Sequence, residues 1–513
     1  MNKERGQALI IAMLALAIGA LVVVPFLSHA GTSLISSRVY GQTIAEQSAS
    51  DAGVEHAIWS LTRGTLAKQF SQSGDQVTYQ LGETLNGYST TVTVTANATS
   101  QGGTLGDIAN AVIDTLVFDN SSGYLPSMIM VSGNICAIAY RGASNLGYVR
   151  TAFIDSNGNI NNAYIDSLTF DTNSCYEPKI VNVSGTTYAI VYRRSSNRGY
   201  LATMSIDTAG NIGNAVLKTL SQFDSNTCYE PYIVNVSGTT YAIVYRGGAG
   251  GTTNYGYIRT VSISADGKTI TAIIASKTFV SSTCYEPEIL PVSGSIFAIA
   301  YRGGASNYGY LSTISISADG KTISSTPIAT VTFNNSAAIL NPSLIQVSGS
   351  TYAVTYDGLS NYGYITTISI PASGTPLAVI KTSTFVSSVC YEPDISLVTG
   401  STFAIAYRGT SNDGYLKTMS IAANGDIGAS VIDTLEFDTS NCYEPVIVSV
   451  TGGIFAIAYR GVNNDGYLVT VGITTEAAVA ASWQIVSTAG NTSIRAYVNT
   501  ANTTANITSW QIK

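Results

Sequence analysis

The chain has 513 residues and a formal net charge of −7, and Asp, Glu, Lys and Arg together make up only 11% of it. Such a length allows more than one domain and a sizeable core. The acidic balance and the lack of any basic cluster exclude nucleic acid as a partner, and the Ser, Thr, Gly, Asn and Tyr that replace charge suit exposed β-structure better than a helical enzyme.

Lys3, Glu4 and Arg5 precede an uncharged apolar run at 8–27, ALIIAMLALAIGALVVVPFL. About twenty residues is the length a helix needs to cross a hydrocarbon core, and it exceeds the ~7–15 residues of a secretory signal core. The run therefore reads as a retained membrane anchor. Lys3 and Arg5 place the N-terminus in the cytoplasm, so everything after about His29 is expected outside, as an extracellular head on the cell surface. Helical patterning continues to about residue 69, with Val39, Ile44, Val54, Ala57, Ile58 and Leu61 at three- and four-residue steps. Pro25 is a candidate bend.

ERGQALIIAMLALAIGAL followed by AEQSASDAGVEHAIWSL resembles the N-terminal region of type IV pilin-like proteins, especially minor pilins of the PilX type. The resemblance spans roughly the first 65 residues. It implies cleavage by a prepilin peptidase after Gly6, with Gln7 as the new N-terminus, and pilin subunits as partners of the helix. Ile11 stands where major pilins carry Glu, a departure shared with several minor pilins.

Strands are expected at 77–81 and 88–96, joined across Asn86-Gly87, a strong hairpin signal. Three more are expected at 482–487, 493–498 and 505–512. A long helix on a small antiparallel sheet is how pilins are built. Residues 1–103 and 475–513 are therefore read as one pilin-like domain, interrupted by 104–474.

The interrupting region is a repeat array. A consensus close to CYEPxIVxVSGTxYAIAYRGxSNxGYLxTxSIxxxGxI recurs seven times, with its proline at Pro126, Pro178, Pro231, Pro287, Pro342, Pro393 and Pro445. Periods near 50 residues with alternating apolar positions mean propeller blades. Residues 107–119, DIANAVIDTLVFD, nearly duplicate 426–438, DIGASVIDTLEFD, a fourth strand, while the seventh repeat runs only to about Ile473. The early segment is thus expected to complete the last blade. The fold class read from the sequence is mainly β: a seven-bladed β-propeller inserted into a pilin-like domain of one long transmembrane helix and a small antiparallel sheet.

Candidate ligand-binding residues are the recurring charges of CYEP and YRG, at the ends of the first two strands of each blade. They are Glu177 with Arg193, Glu230 with Arg246, Glu286 with Arg302, Glu392 with Arg408, and Glu444 with Arg460. A hairpin turning near Gly185 places Glu177 almost opposite Arg193. Two readings stay open: cross-strand ion pairs that order each blade, or a polar crown that contacts a ligand. Arg141, whose blade has Leu125 for Glu, and Asp357, in the Arg position beside Asn341, break the pattern. They are the stronger contact candidates.

Cys175, Cys228, Cys284, Cys390 and Cys442 share one loop position and are expected as free, part-buried thiols, too far apart for disulfides. The only histidines, His29 and His56, precede the repeats. No His base, Ser-His-Asp set or His metal site can form in the head, so no catalytic residue, metal or cofactor is assigned and the head is read as no enzyme. The function expected is a membrane-anchored or pilus-associated adhesin presenting its propeller to a surface, glycan or protein ligand. The alternatives are a tethered propeller enzyme acting on extracellular polysaccharide, favoured by an acidic dyad, and a structural envelope protein, favoured by complete pairing of the crown charges.

Overall fold

The computed structural model describes residues 4–63, 66–70, 74–99, 104–248, 254–336, 338–475, 480–501 and 504–513. They fall into two compact units, Met1–Gly102 with Ala477–Lys513, and Gly103–Glu476.

In the first unit a helix runs from Glu4 to Thr62 with Pro25 inside it. Its apolar N-terminal part is solvent-exposed, and the helix is long and apolar enough to cross a membrane. Further along, Val54, Ala57 and Leu61 bury one face against Val92, Val94, Trp483, Ile485 and Val498 of a five-stranded antiparallel sheet. The sheet orders its strands Gln76–Gln80, Thr90–Thr99, Ala480–Ala489, Thr492–Ala501 and Thr504–Ile512, so both ends of the chain share it. The α-helix ends earlier than its sequence pattern suggested, and a 3₁₀ turn, Leu66–Gln69, follows.

The second unit is seven four-stranded antiparallel sheets, the blades of a β-propeller. Blade 2 is representative: strands a to d are Tyr176–Ser184, Thr187–Arg193, Gly199–Ser205 and Lys218–Asp224. Strand d is shorter than the 212–223 its sequence pattern suggests. Asp207 accepts the Ala209 and Asn211 amides, and Gly210 takes the left-handed conformation (φ 89°), so residues 207–217 turn before the strand begins. Blade 7 takes strands a to c from Tyr443–Thr451, Ile454–Arg460 and Gly466–Gly472, and strand d from Asp114–Asp119, paired from Asp114 opposite Thr470 to Asp119 opposite Gly466.

Strand b, FAIAYR in three blades and YAIVYR in two, is buried along nearly its whole length, with small and large residues alternating. In blade 1 the small side, Ala137 and Ala139, packs under Tyr188, Ile190 and Tyr192 of blade 2, so large side chains meet small ones at each blade contact. A second contact repeats seven times. A buried threonine of strand c donates to the carbonyl of a turn glycine in the next blade: Thr151 to Gly210, Thr203 to Gly267, Thr260 to Gly320, Thr313 to Gly374, Thr367 to Gly425, Thr418 to Gly106 and Thr470 to Gly158, at 2.5–2.7 Å. The last two span the point where the chain closes on itself.

Candidate functional site: the crown and the channel wall

Strands a line the central channel, and their first residues build its mouth. Tyr176, not Glu177, lies opposite Arg193, because a bulge at Glu177-Pro178 shifts the register expected from the hairpin. The residue before the proline is left-handed in all seven blades: Leu125, Glu177, Glu230, Glu286, Asn341, Glu392 and Glu444 have φ between 48° and 56°. The strain is offset by what the glutamates reach. Each pairs with the arginine of its own blade, Glu177–Arg193, Glu230–Arg246, Glu286–Arg302, Glu392–Arg408 and Glu444–Arg460, at 2.9–3.4 Å. Each of these carboxylates also accepts the backbone amide of the equivalent residue one blade on: the donors are Glu230, Glu286, Asn341, Glu444 and, across the seam, Leu125, at 2.8–2.9 Å.

The arginines are fixed further by stacking. Arg246 lies over the rings of Tyr229 and Tyr285, with its guanidinium carbon 4.2 and 4.8 Å from their centroids, and Arg408 lies over Tyr391 and Tyr443 at 4.4 and 5.0 Å. Arg193, Arg246, Arg408 and Arg460 also donate to an asparagine of the turn that follows, at 2.8–3.0 Å. Most of the candidate crown residues are thus held in a network that joins blade to blade. Arg141 has no carboxylate partner among the described residues: it stacks between Tyr124 and Tyr176, and its Nε has no hydrogen bond. Asp357 is buried, and its Oδ1 has no hydrogen bond. Gly6 and Gln7 lie in the N-terminal helix.

The five loop cysteines are free and fully buried, rather than part-buried as expected. Their amides are held by the asparagine carbonyl of the preceding blade, as in Cys175 N–H to Asn145 and Cys442 N–H to Asn412, both 2.7 Å. Burial pushes these thiols well above the usual range, and Cys136 up to about 12. They stay protonated and unreactive.

One level below the crown lies a set of residues the sequence reading passed over. The position after the repeat proline holds Ser127, Lys179, Tyr232, Glu288, Ser343, Asp394 and Val446. All line the channel, a cavity of about 910 Å³. The columns on either side are an unvarying proline and a Met, Ile or Leu, while this one changes charge and size from blade to blade; that variation is the signal that finds it. Glu288 Oε1 accepts the Tyr232 hydroxyl at 3.1 Å and Oε2 the Leu344 amide at 3.0 Å. Asp394 Oδ1 accepts the Ser343 hydroxyl at 3.1 Å and Oδ2 the Ile447 amide at 2.8 Å. Lys179 Nζ lies 5.6 Å from the Tyr232 ring centroid.

Burial, reinforced by the Asp394 charge and opposed by Lys179, pushes the Glu288 carboxyl up to about 7. Asp394 is raised by burial too, and is pulled back by the Ile447 amide and Lys179. Both carboxyls are thus held toward their protonated forms, and the charge of Asp394 adds to the shift of Glu288. Such a pair can give and take a proton within one channel.

No protein-family model matches the chain, and no curated protein matches it. Among solved structures it is similar to the Pseudomonas aeruginosa periplasmic gluconolactonase PpgL, at 12% identity over 60% of this chain and 84% of that one, TM-score 0.44. It is also similar to a polysaccharide lyase of family PL25, an ulvan lyase bound to -[GlcA(1-4)Rha3S]-, at 10% identity over 74% and 97%, TM-score 0.44. A third is the Penicillium chrysogenum α-L-arabinanase complexed with arabinobiose, at 13% identity over 60% and 96%, TM-score 0.40. Likeness at this level concerns the fold and carries no substrate to this chain. The channel wall corrects one expectation. The head was read as no enzyme for want of histidine, yet the channel here is lined by two carboxyls, Glu288 and Asp394, that the sequence reading did not find. The exclusion of catalysis does not stand.

Proposed function

We propose that the protein is a membrane-anchored, extracellular propeller that takes a carbohydrate chain into its axial channel and cleaves a glycosidic bond there. The observation that carries this reading is Glu288 and Asp394, set in the channel-lining column that follows the repeat proline and changes charge from blade to blade. Glycoside cleavage uses two carboxyls in different protonation states. The protonated Glu288 would give its proton to the leaving oxygen, and the ionised Asp394 would support the positive charge that develops on the sugar or deprotonate the attacking water. Lys179 would keep Asp394 ionised. The hydroxyls of Tyr232 and Ser343 hold the two carboxyls in place.

The test is reducing-end release from a panel of neutral and acidic polysaccharides, with wild type, Glu288→Gln and Asp394→Asn side by side. The expected result is turnover of at least one polymer, reduced roughly 10²–10⁴-fold in each variant. Release unchanged by both substitutions overturns the assignment of the pair. Saturable glycan binding without release in wild type would leave a binding head, the adhesin reading. Display on a pilus rests on the N-terminal resemblance alone and has its own measurement, N-terminal sequencing of protein from sheared surface filaments. A chain beginning at Gln7 and enriched there supports processing after Gly6, and an intact Met1 confined to membranes removes it.

A further inference from the structure

The crown alternates tyrosine and arginine around the channel mouth and is interrupted once. Tyr124, Tyr176, Tyr229, Tyr285 and Tyr443 each carry two guanidinium groups, one from the arginine of their own blade and one from the blade before. Tyr391 carries one, that of Arg408, among the described residues. The group it lacks is the one blade 5 would supply, and blade 5 has Asp357 there. The same blade has Leu340 for the crown tyrosine and Asn341 for the glutamate. All three crown positions of this blade have therefore changed together.

The change leaves a built recess. Asp357 lines a cavity of about 290 Å³ whose rim is apolar, formed by Ala338, Leu340 and Leu359. The Asp357 side chain belongs to a residue only 2% exposed, and its Oδ1 has no hydrogen-bond partner, although Asn341 supplies a bond to the carboxyl. Leu359 at the lip is 54% exposed. The neighbouring blades offer no compensation, since Glu286 and Glu392 are each already paired with Arg302 and Arg408. A buried carboxyl in this position either keeps its proton or takes a counter-cation.

We propose that the gap in blade 5 is a cation site, which receives a guanidinium or ammonium group on a short apolar stem and pairs it with Asp357. The incoming group would stand where the other six blades place their own arginine, and its stem would cover Leu340 and Leu359. This site is separate from the Glu288–Asp394 pair and does not depend on the reaction proposed there. Burial and the charges of Glu286 and Glu392 hold the Asp357 carboxyl up at about 7, so a bound cation also relieves an uncompensated group.

The experiment is titration calorimetry on the full chain in detergent at pH 8. The probes are Nα-acetyl-arginine methylamide, ethylguanidinium, and the uncharged isostere Nα-acetyl-citrulline methylamide. Saturable binding of a cationic probe is expected, weaker by roughly tenfold or more for citrulline. Asp357→Asn should lose it to the same degree, and Asp357→Arg, which restores the repeat's own cation, should abolish it. Tighter binding of the blocked arginine than of ethylguanidinium assigns the source to a protein side chain, and equal binding assigns it to a small free cation. No saturable binding of either cation, or binding of citrulline equal to arginine, overturns the proposal. So does binding that Asp357→Asn leaves unchanged. The citrulline comparison uses unmutated protein and stands even if a variant fails to fold.

Discussion

Glu288 is a carboxyl that folding pushes toward its protonated form, from an ordinary value of 4.5 to about 7. Between those two values the folded head binds more protons than the unfolded chain, so its stability falls as pH rises through that window. Glu288→Gln keeps an acceptor for the Leu344 amide and a partner for the Tyr232 hydroxyl, and removes the charge. The variant should be more stable than wild type by about 1–3 kcal/mol at pH 8 and nearly equal to it at pH 4, measured by urea unfolding at both. Asp357 shifts in the same direction but is present in both proteins and cancels from the difference. A variant less stable than wild type at pH 8 would mean that Lys179 holds Glu288 ionised, and the protonated donor would be lost. At this scale the sequence was half legible. Asp357 and Arg141 stood out because they break a recurring pair. Lys179, Glu288 and Asp394 did not, because collapsing seven repeats into one consensus writes their column as a blank. The information was in the disagreement among repeats, not in what they share.

Among elements, the blade-to-blade bonds are made by residues the consensus displays plainly, the threonine of GYLxTxSI and the glycine of xxxGxI. Their meeting was not legible, because each threonine bonds a glycine about one repeat further along, 59 residues for Thr151 and Gly210, and 312 back for Thr418 and Gly106. Thr418→Val preserves shape and leaves the buried Gly106 carbonyl without its donor. The head should lose about 1–3 kcal/mol of stability, read from its denaturation midpoint, and Thr203→Val should cost a similar amount because its geometry is the same. No change in either would mean that the turn carbonyls find water and that these bonds do not hold neighbouring blades together. The bulge at Glu-Pro was hidden for a different reason. A residue before proline ordinarily stays extended, so simple hairpin arithmetic set Glu177 opposite Arg193. At the five glutamates the next blade's amide, a tertiary contact invisible to hairpin arithmetic, rewards the left-handed conformation, which Leu125 and Asn341 share.

For the whole molecule the blade count was legible from seven evenly spaced prolines, and the closure of the ring concentrates on residues 104–119. Within that segment Gly106 accepts Thr418 at 2.6 Å, the Ile108 amide reaches Asp433 at 2.8 Å, and Asp114 accepts the Ile160 amide at 2.7 Å. Asp119 accepts the Tyr140 hydroxyl at 2.7 Å and pairs with Arg150 at 3.3 Å, and Phe118 packs edge-on to Tyr140. The segment therefore bonds blades 6, 7 and 1 at once, and it covers the edge of Gly466–Gly472 that would otherwise be open to other chains. A chain of residues 103–476 should fold alone with one cooperative transition. A chain of residues 120–476 removes partners from Asp433, Tyr140 and Arg150 and bares a whole strand edge, so it should unfold at markedly lower denaturant and associate. A synthetic peptide of residues 103–119 added in trans should restore the monomer and move the midpoint back toward that of the longer chain, because it supplies the missing strand at the cost of association entropy alone. If the shorter chain unfolds at the same midpoint as the longer one, the ring is held shut by blade packing and the closing strand is an accessory. If the peptide fails to rescue a destabilised ring, the covalent link before Asp114 is itself needed for closure.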